Sequence, residues 1–267
     1  MNLVSVIIPA YNSENSILKS LNSVVSQNLV DEIEVVVVND GSTDNTKFLV
    51  ENFIEENKHV DLKLINQENQ GVASARNNGV NASSGRFIAF LDSDDIWKEG
   101  KLKKQLKFLT TNPDFHLVAT NFNGLNLNTK RLLDLNEGYF SVTFENILFK
   151  HYFQPSTVLM TRESFSNVGG FKNGMTHAEE GLLFLNVSYK YKCAIDSNIS
   201  IVYGEGKHAY ATSGLASNLT KMQLGELHNY RQIYLDGKIN FLKYFSLTSF
   251  SICKYLRRVM IKLVKVG

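Results

Sequence analysis

The sequence is short of the residues that mark specialised protein classes. Its two cysteines, Cys193 and Cys253, lie far apart and form no metal-type spacing, which excludes a disulfide framework or a thiolate zinc site and fits a reducing compartment. No apolar run is long enough to cross a bilayer. The stretch after Met1 has neither the basic start nor the small-residue cleavage site of a secretory leader, so a cytoplasmic location is expected. Excess charge is also missing: a net charge of +2 makes no case for nucleic acid. After the first apolar run, Pro9-Ala10-Tyr11-Asn12-Ser13-Glu14 stands where a G-x-G-x-x-G fingerprint or a P-loop would be. That argues against a dinucleotide dehydrogenase and a P-loop NTPase. The remainder, 43% hydrophobic and 20% charged over 267 residues, is ordinary globular composition.

What is present is a regular alternation. Val4-Ser5-Val6-Ile7-Ile8 is a β-branched strand that Pro9 is expected to close. Ile17, Leu18, Leu21, Val24 and Val25 then recur at helical spacing, with Ser13 as a candidate cap. Ile33-Glu34-Val35-Val36-Val37-Val38 is a second buried strand running into Asn39-Asp40-Gly41-Ser42-Thr43-Asp44, and Phe48, Leu49, Phe53 and Ile54 mark the next helix. Leu62-Lys63-Leu64-Ile65 is a third strand. It leads through Asn66 to Gly71 into a small-residue helix from Val72 to about Ala82. The fourth, Phe87-Ile88-Ala89-Phe90-Leu91, has no polar interruption and stops in Asp92-Ser93-Asp94-Asp95. Four such alternations predict a mostly parallel central sheet with helices on both faces, and ligands of such sheets bind outside the carboxyl ends of the strands.

Those ends gather Tyr11-Asn12, Asn39-Asp40, Gln70-Gly71 and Asp92 to Asp94 on one edge. Three acids so close repel one another unless a cation sits among them, and oxygen-only ligands suit Mg²⁺ or Mn²⁺. The plainer alternative is a solvated acidic turn in which Ser93 or Asp94 caps a helix beginning near Trp97. A third reading is an aspartyl-nucleophile phosphatase using Asp92, since that chemistry also places two carboxylates one residue apart beside Mg²⁺. It leaves the Asn39-Asp40-Gly41-Ser42 turn without a role.

Four segments in order, Val4 to Asn12, Val37 to Asp44, Asn69 to Asn77 and Leu91 to Asp95, resemble successive signatures of family 2 glycosyltransferases with the GT-A fold. The resemblance implies transfer of a sugar from a nucleotide diphosphate, most readily a UDP-sugar, to an acceptor hydroxyl with inversion. It implies that Pro9, Ala10, Tyr11, Asn12, Asp40, Gly71, Arg76, Asp92 and Ser93 line the donor. Asp40 would take the base, and Asp92 would hold the ribose or orient the metal. Asp94, the second acid of the D-x-D pattern, would ligate Mn²⁺ or Mg²⁺ and so neutralise charge on the departing diphosphate. Arg76 would pair with the acidic loop or the donor.

The second half is read more coarsely. Lys101, Lys103, Lys104 and Lys107 among Leu102, Leu106 and Leu109 read as a surface helix with a solvated basic face, and Leu117-Val118-Ala119 as a strand. Gln154 to Arg162 and Val168-Gly169-Gly170-Phe171 resemble the family's acceptor-side strand and glycine turn, where glycines would let backbone approach the sugar. Glu179-Glu180 falls where the family commonly has Glu-Asp, so Glu180 is the expected base, with Glu179 as the alternative. His208 would lie beside the metal, Lys207 near the diphosphate, and Gly204, Gly206 and Gly214 in a closing loop.

From about Leu219 the chain reads as helical, and no acid interrupts Phe241 to Gly267. Ile252, Leu256, Val259, Met260, Leu263 and Val264 share one face beside Lys254, Arg257, Arg258, Lys262 and Lys265. A basic amphipathic helix of this kind either lies peripherally on the inner face of a membrane or packs on protein. Three regions follow: 1–110 for the donor, 111–215 for the acceptor and the base, and 216–267 as a C-terminal helical extension. The expected protein is a transferase in polysaccharide or glycoconjugate synthesis with a glycan or lipid-linked acceptor. A nucleotide-sugar-binding module without turnover is the other reading, kept by the unusual Glu179-Glu180 pair.

Overall fold

The computed structural model describes residues 3–29, 32–122, 125, 127, 129–206 and 218–266. β1 (Val4–Ala10), α1 (Ile17–Val25), β2 (Ile33–Asp40), α2 (Thr46–Glu56), β3 (Asp61–Gln67), α3 (Val72–Asn81) and β4 (Phe87–Phe90) follow the alternation expected from the sequence. Next come β5 (Ile96–Trp97), α4 (Lys101–Thr111), β6 (Phe115–Asn121), β7 (Leu133–Asp134), β8 (Tyr139–Val142) and α5 (Phe144–Phe149). The chain continues with β9 (Val158–Thr161), α6 (Arg162–Asn167), α7 (Glu179–Lys190), β10 (Lys192–Ile199) and β11 (Ile201–Val202). It ends in α8 (Leu219–Leu235) and α9 (Phe241–Val266).

Nine strands form one sheet in the order β3-β2-β1-β4-β9-β6-β10-β8-β7. The first four are parallel, β9 is antiparallel to both of its neighbours, β6 and β10 are parallel, and β8 and β7 close the edge antiparallel. The sheet is therefore parallel through β1 to β4 and mixed beyond them. Side chains alternate between faces along a strand. Ile7, Val36, Val38, Ile88 and Phe90 accordingly join the core beneath α3 and α7. Val6, Ile8, Val35, Val37 and Ala89 join the opposite core beneath α1, α2 and α4.

Three local expectations are corrected. Pro9 does not close β1, since it pairs with Val38 and the strand runs to Ala10. Leu91 N–H already reaches Ile7 O where β4 leaves the sheet, so the alternation turns Pro9 toward a side on which no partner needs its missing N–H. No helix begins near Trp97. Ile96–Trp97 pairs antiparallel with Ile201–Val202, and α4 starts at Lys101 after Gly100, whose φ is 76°. Neither Ser93 nor Asp94 is a cap. Lys101 does not belong to the solvated face of α4 either. It is buried, donates to Gln105 Oε1 at 2.8 Å, and lies 4.2 Å from the Trp97 ring centroid. Desolvation holds its pKa well below the ordinary lysine value. Lys103, Lys104 and Lys107 are exposed as expected. No helix among the described residues is long and apolar enough to cross a membrane.

Candidate active site

The carboxyl edge of β1, β2 and β4 is laced together by its own loops. Asn12, at φ 49°, accepts Thr43 N–H at 2.9 Å and donates its own N–H to Ser42 Oγ at 3.0 Å. Asp44 accepts from Thr46 N and Oγ1 and from Glu14 N. Slight burial works against its charge, but the bonds from Thr46 and Glu14 outweigh it and hold the carboxyl below its usual range. Tyr11 stands out from this rim, while Ala10 beneath it is buried.

Asp40, at the end of β2, is buried and accepts three hydrogen bonds: Gln67 Nε2 at 2.7 Å, Gln70 N at 2.8 Å and Gly71 N at 2.9 Å. It thereby fixes the turn into α3. Two glycines make the approach possible. Gly71 adopts φ 87°, and Gly41, at φ 75°, lies so close that a Cβ would come 2.8 Å from Asn69 N.

The acids after β4 have separate surroundings. Asp92 N–H donates to Ser156 Oγ at 3.0 Å. The Ser93 hydroxyl lies 2.7 Å from that of Ser13, and the Ser93 carbonyl accepts from Ser20 Oγ at 2.9 Å. Asp94 is exposed at the edge. Asp95 is buried, accepting Ser156 Oγ–H and Gly204 N–H, and burial followed by the charge of Asp92 pushes its carboxyl up to about 8. The third acid therefore belongs to the framework. Ser156, in the tight turn Pro155–Thr157, joins Asp92 to Asp95 and, through its carbonyl, accepts Trp97 Nε1–H at 2.8 Å.

Arg76 runs from α3 to the centre of this edge. Its guanidinium donates from Nη2 to Asp92 Oδ1 at 2.6 Å and from Nη1 to Glu179 Oε1 at 2.9 Å, and lies 5.1 Å from the Phe171 ring centroid. Burial disfavours its charge, but Asp92 and then Glu179 more than compensate and raise its pKa. Glu179 is thus occupied. Glu180, the next residue at the start of α7, is pushed up to about 8 by burial and then by Glu179, against a bond from its own backbone N–H and the field of Arg76.

The start of α7 rests on α8. Ala178, at φ 57°, carries a carbonyl that accepts Asn229 Nδ2–H at 2.8 Å. A Cβ on Gly225 would meet His177 O at 2.5 Å, and one on Gly181 would meet Asn229 Nδ2 at 3.0 Å. Sequence reasoning missed Asn229 and Gly225, although a glycine inside a helix is the signal that could have marked the contact. It also gave Ser156 no role of its own. Gly170, expected to admit a sugar, instead lies against the side chains of Asn77 and Phe165. Lys207, His208 and Gly214 lie outside the described residues.

Among the described residues no group of three or more His, Cys, Asp or Glu side chains is arranged to hold a metal. The fit is of another kind. Asp94 is exposed two residues after the half-buried Asp92, whose Oδ1 is held by Arg76, so the carboxylate oxygens here would leave most positions of a metal's shell to others. Mg²⁺ and similar ions are commonly bound this way, by one or two carboxylates with water and substrate phosphates completing the shell.

A family model described as glycosyl transferase family 2 matches residues 5–169, a span that holds Asp40, Arg76, Asp92 and Asp94 and ends before α7. The chain is 32% identical over 223 residues to the UDP-Glc:alpha-D-GlcNAc-diphosphoundecaprenol beta-1,3-glucosyltransferase WfgD of Escherichia coli, covering 82% of this chain and 81% of the relative. It is 37% identical over 186 residues to an uncharacterised glycosyltransferase of Rickettsia bellii, covering 69% of this chain but only 26% of that longer protein. The mannosyltransferase PcManGT of Pyrobaculum calidifontis, solved with GDP-Man and Mn²⁺, superimposes with a TM-score of 0.70 at 20% identity, covering 94% of this chain and 69% of that one. That likeness shows the fold.

Proposed function

This chain belongs to glycosyl transferase family 2 and has the GT-A fold, and from that premise we propose that it transfers a sugar, with inversion, from a UDP-sugar to a lipid-linked glycan hydroxyl, with Glu180 as base. One observation carries the assignment of the base. Arg76 binds Asp92 and Glu179 together, and buried Asp95 is taken by Ser156 and Gly204, which leaves the neighbouring Glu180 as the acid near working pH that is not spent on the framework.

We assign residues 1–110 to the donor, 111–215 to the acceptor and base, and 216–267 to an extension. Pro9, Ala10, Tyr11 and Asn12 form one wall of the donor slot, and Gly71 and Ser93 flank it. A carboxylate has about four lone-pair sites. Three at Asp40 are used on the turn, so one remains for a base N–H. Asp94, with Asp92 beside it and His208 as a further candidate, would hold Mg²⁺ or Mn²⁺, which when bound neutralises charge on the leaving diphosphate. The Glu180 carboxylate takes the acceptor hydroxyl proton as the oxygen attacks the anomeric carbon. The new C–O bond forms on the face opposite the departing diphosphate, which leaves with the electron pair of the old one. Glu180 then returns its proton to solvent.

The acceptor class is supported by the activity of the Escherichia coli relative, which acts on a diphosphoundecaprenol-linked sugar. An acceptor of that kind puts the reaction at the inner face of a membrane. An aspartyl nucleophile at Asp92 is poorly served, because Arg76 at 2.6 Å holds and neutralises that carboxylate. Calorimetric binding of UDP, GDP, dTDP and CDP, each with and without Mn²⁺, tests the donor site. UDP binding that depends on metal and is lost in Asp94→Ala supports the proposal, and absence of binding to every nucleotide overturns it.

A further inference from the structure

Helix α9 is packed with its polar side inward. Its contact with α8 is built from Lys254 and Arg258 on Glu226, at 2.9 and 3.7 Å, from Ser251 on Gln223 Nε2 at 2.9 Å, from Tyr255 beside Thr220 at 3.1 Å, and from the Tyr244 ring stacked on Tyr234 at 4.9 Å. Among its described hydrophobic side chains only Leu247 is fully buried. The opposite side faces outward and is apolar: Leu242 is 76% exposed, Phe245 64%, Ile252 41%, Leu256 52% and Met260 59%. At 100° per residue these five fall within a wedge of about 80°. A soluble helix normally turns such a stripe to the core. Here the core side is already filled by Leu247, the Tyr244 ring, ion pairs and hydrogen bonds.

Charge selects the occupant. From Phe241 to Gly267 there are six Lys and Arg and no acid, and among the described residues Glu145 and Glu226 reach the helix and are bound by Lys243, Lys254 and Arg258. Arg257 is exposed beside the stripe. A second copy of this face would bring the apolar stripe and Arg257 against their own copies with no acid on α9 to answer the charge, whereas an anionic lipid surface matches both the stripe and the cation beside it. The helix of 26 residues is about 39 Å long, and it is not apolar enough to span.

We infer that α9 is a surface-lying membrane helix, docking Leu242, Phe245, Ile252, Leu256 and Met260 into the acyl boundary of an anionic leaflet. This rests on the reading of a lipid-linked acceptor for its purpose, though not for its chemistry. α8 connects the two ends of the device. Its Glu226 holds α9, and its Asn229, one turn further along, holds Ala178 beside Glu180. A docked α9 therefore presents the base to acceptors at the membrane surface.

The test is co-sedimentation of the full chain with vesicles of phosphatidylcholine, with and without phosphatidylglycerol, for wild type, Leu242→Glu/Leu256→Glu and Arg257→Glu. Metal-dependent UDP binding and analytical ultracentrifugation without lipid are measured on the same samples. Expected is binding to phosphatidylglycerol vesicles that weakens with salt, falls at least about tenfold in the double variant and falls less in Arg257→Glu, with UDP binding unchanged throughout. Wild type that ignores anionic vesicles, or a double variant that binds them equally, overturns the inference. So does a concentration-dependent dimer that the double variant abolishes, since the face then belongs to a second copy. Loss of UDP binding in all samples would remove the functional reading and leave the vesicle result to stand alone.

Discussion

Arg76 Nη1 and Glu179 Oε1 meet at 2.9 Å across 103 residues of sequence, both side chains almost wholly buried. The bond ties the helix after the Gly71 turn to the first residue of α7, and the same guanidinium holds Asp92. One cation thus sets the distance between Asp92 and the start of α7, where the proposed base Glu180 lies. Removing one partner of a buried pair leaves an uncompensated charge and costs about 3–5 kcal/mol. Arg76→Met should lower unfolding stability by about that much in urea titrations. Arg76→Met combined with Glu179→Gln should recover part of the loss, because the buried Glu179 charge is then gone and the Asp92 carboxylate left without its partner is partly exposed.

As the proposed base, Glu180 should carry the pH dependence. Its carboxyl is raised from 4.5 to about 8, so between those values the folded protein keeps a proton that the unfolded chain has released. Its contribution to stability is complete below pH 4.5 and is lost as pH rises to about 8. Activity runs the other way, since a base works only when deprotonated. The rate constant kcat/KM should rise with pH to a plateau above about 8. Glu180→Gln should remove that limb and cut kcat by about 10²- to 10⁴-fold, with donor binding intact by calorimetry. Normal turnover in Glu180→Gln and loss in Glu179→Gln would move the base to Glu179.

The first four strands were legible because their signals are local. Continuous β-branched runs such as Val35 to Val38 are strands on any reading, and polar residues at their ends fall on one edge by topology alone. The other half depends on partners distant in sequence. β9 has four residues and enters between β4 and β6 against their direction, which no period reveals. Ile96–Trp97 becomes a strand because Ile201–Val202 pairs with it, and Lys101, polar by type, is buried because Gln105 and the Trp97 ring receive its ammonium. At the site, Asp40, Arg76, Asp92 and Glu180 were named from the sequence, but the sharing of Arg76 between Asp92 and Glu179 was not.

Ser156 is a small residue with two obligations. Its hydroxyl accepts from Asp92 N–H and donates to buried Asp95. Ser156→Ala deprives both, and an unsatisfied buried polar group costs about 1–3 kcal/mol. Thermal or urea unfolding should show that loss. Metal-dependent nucleotide binding should weaken too, because the backbone of the acidic turn loses its anchor, while Ser156→Thr should retain most of both.

Asn229 makes the most specific case for action at a distance. Its amide holds the carbonyl of Ala178, a residue in the left-handed region, where a non-glycine residue stores strain that its surroundings must balance. Gly225, one turn earlier on α8, brings the two segments close enough for the bond to form. Asn229→Leu keeps the approximate volume and leaves the carbonyl unpaired, so the turn should relax and the carboxylate of Glu180 should move from its working position. A purely structural role predicts a loss of about 1–3 kcal/mol in stability with kinetics unchanged below the melting range. A positioning role predicts a fall in kcat of about tenfold or more with the donor KM unchanged, since a displacement on the order of 1 Å is costly to catalysis while the donor slot on β1, β2 and α3 is untouched. Steady-state kinetics at a temperature where circular dichroism shows the variant folded separates the two, and the kcat loss is the outcome expected.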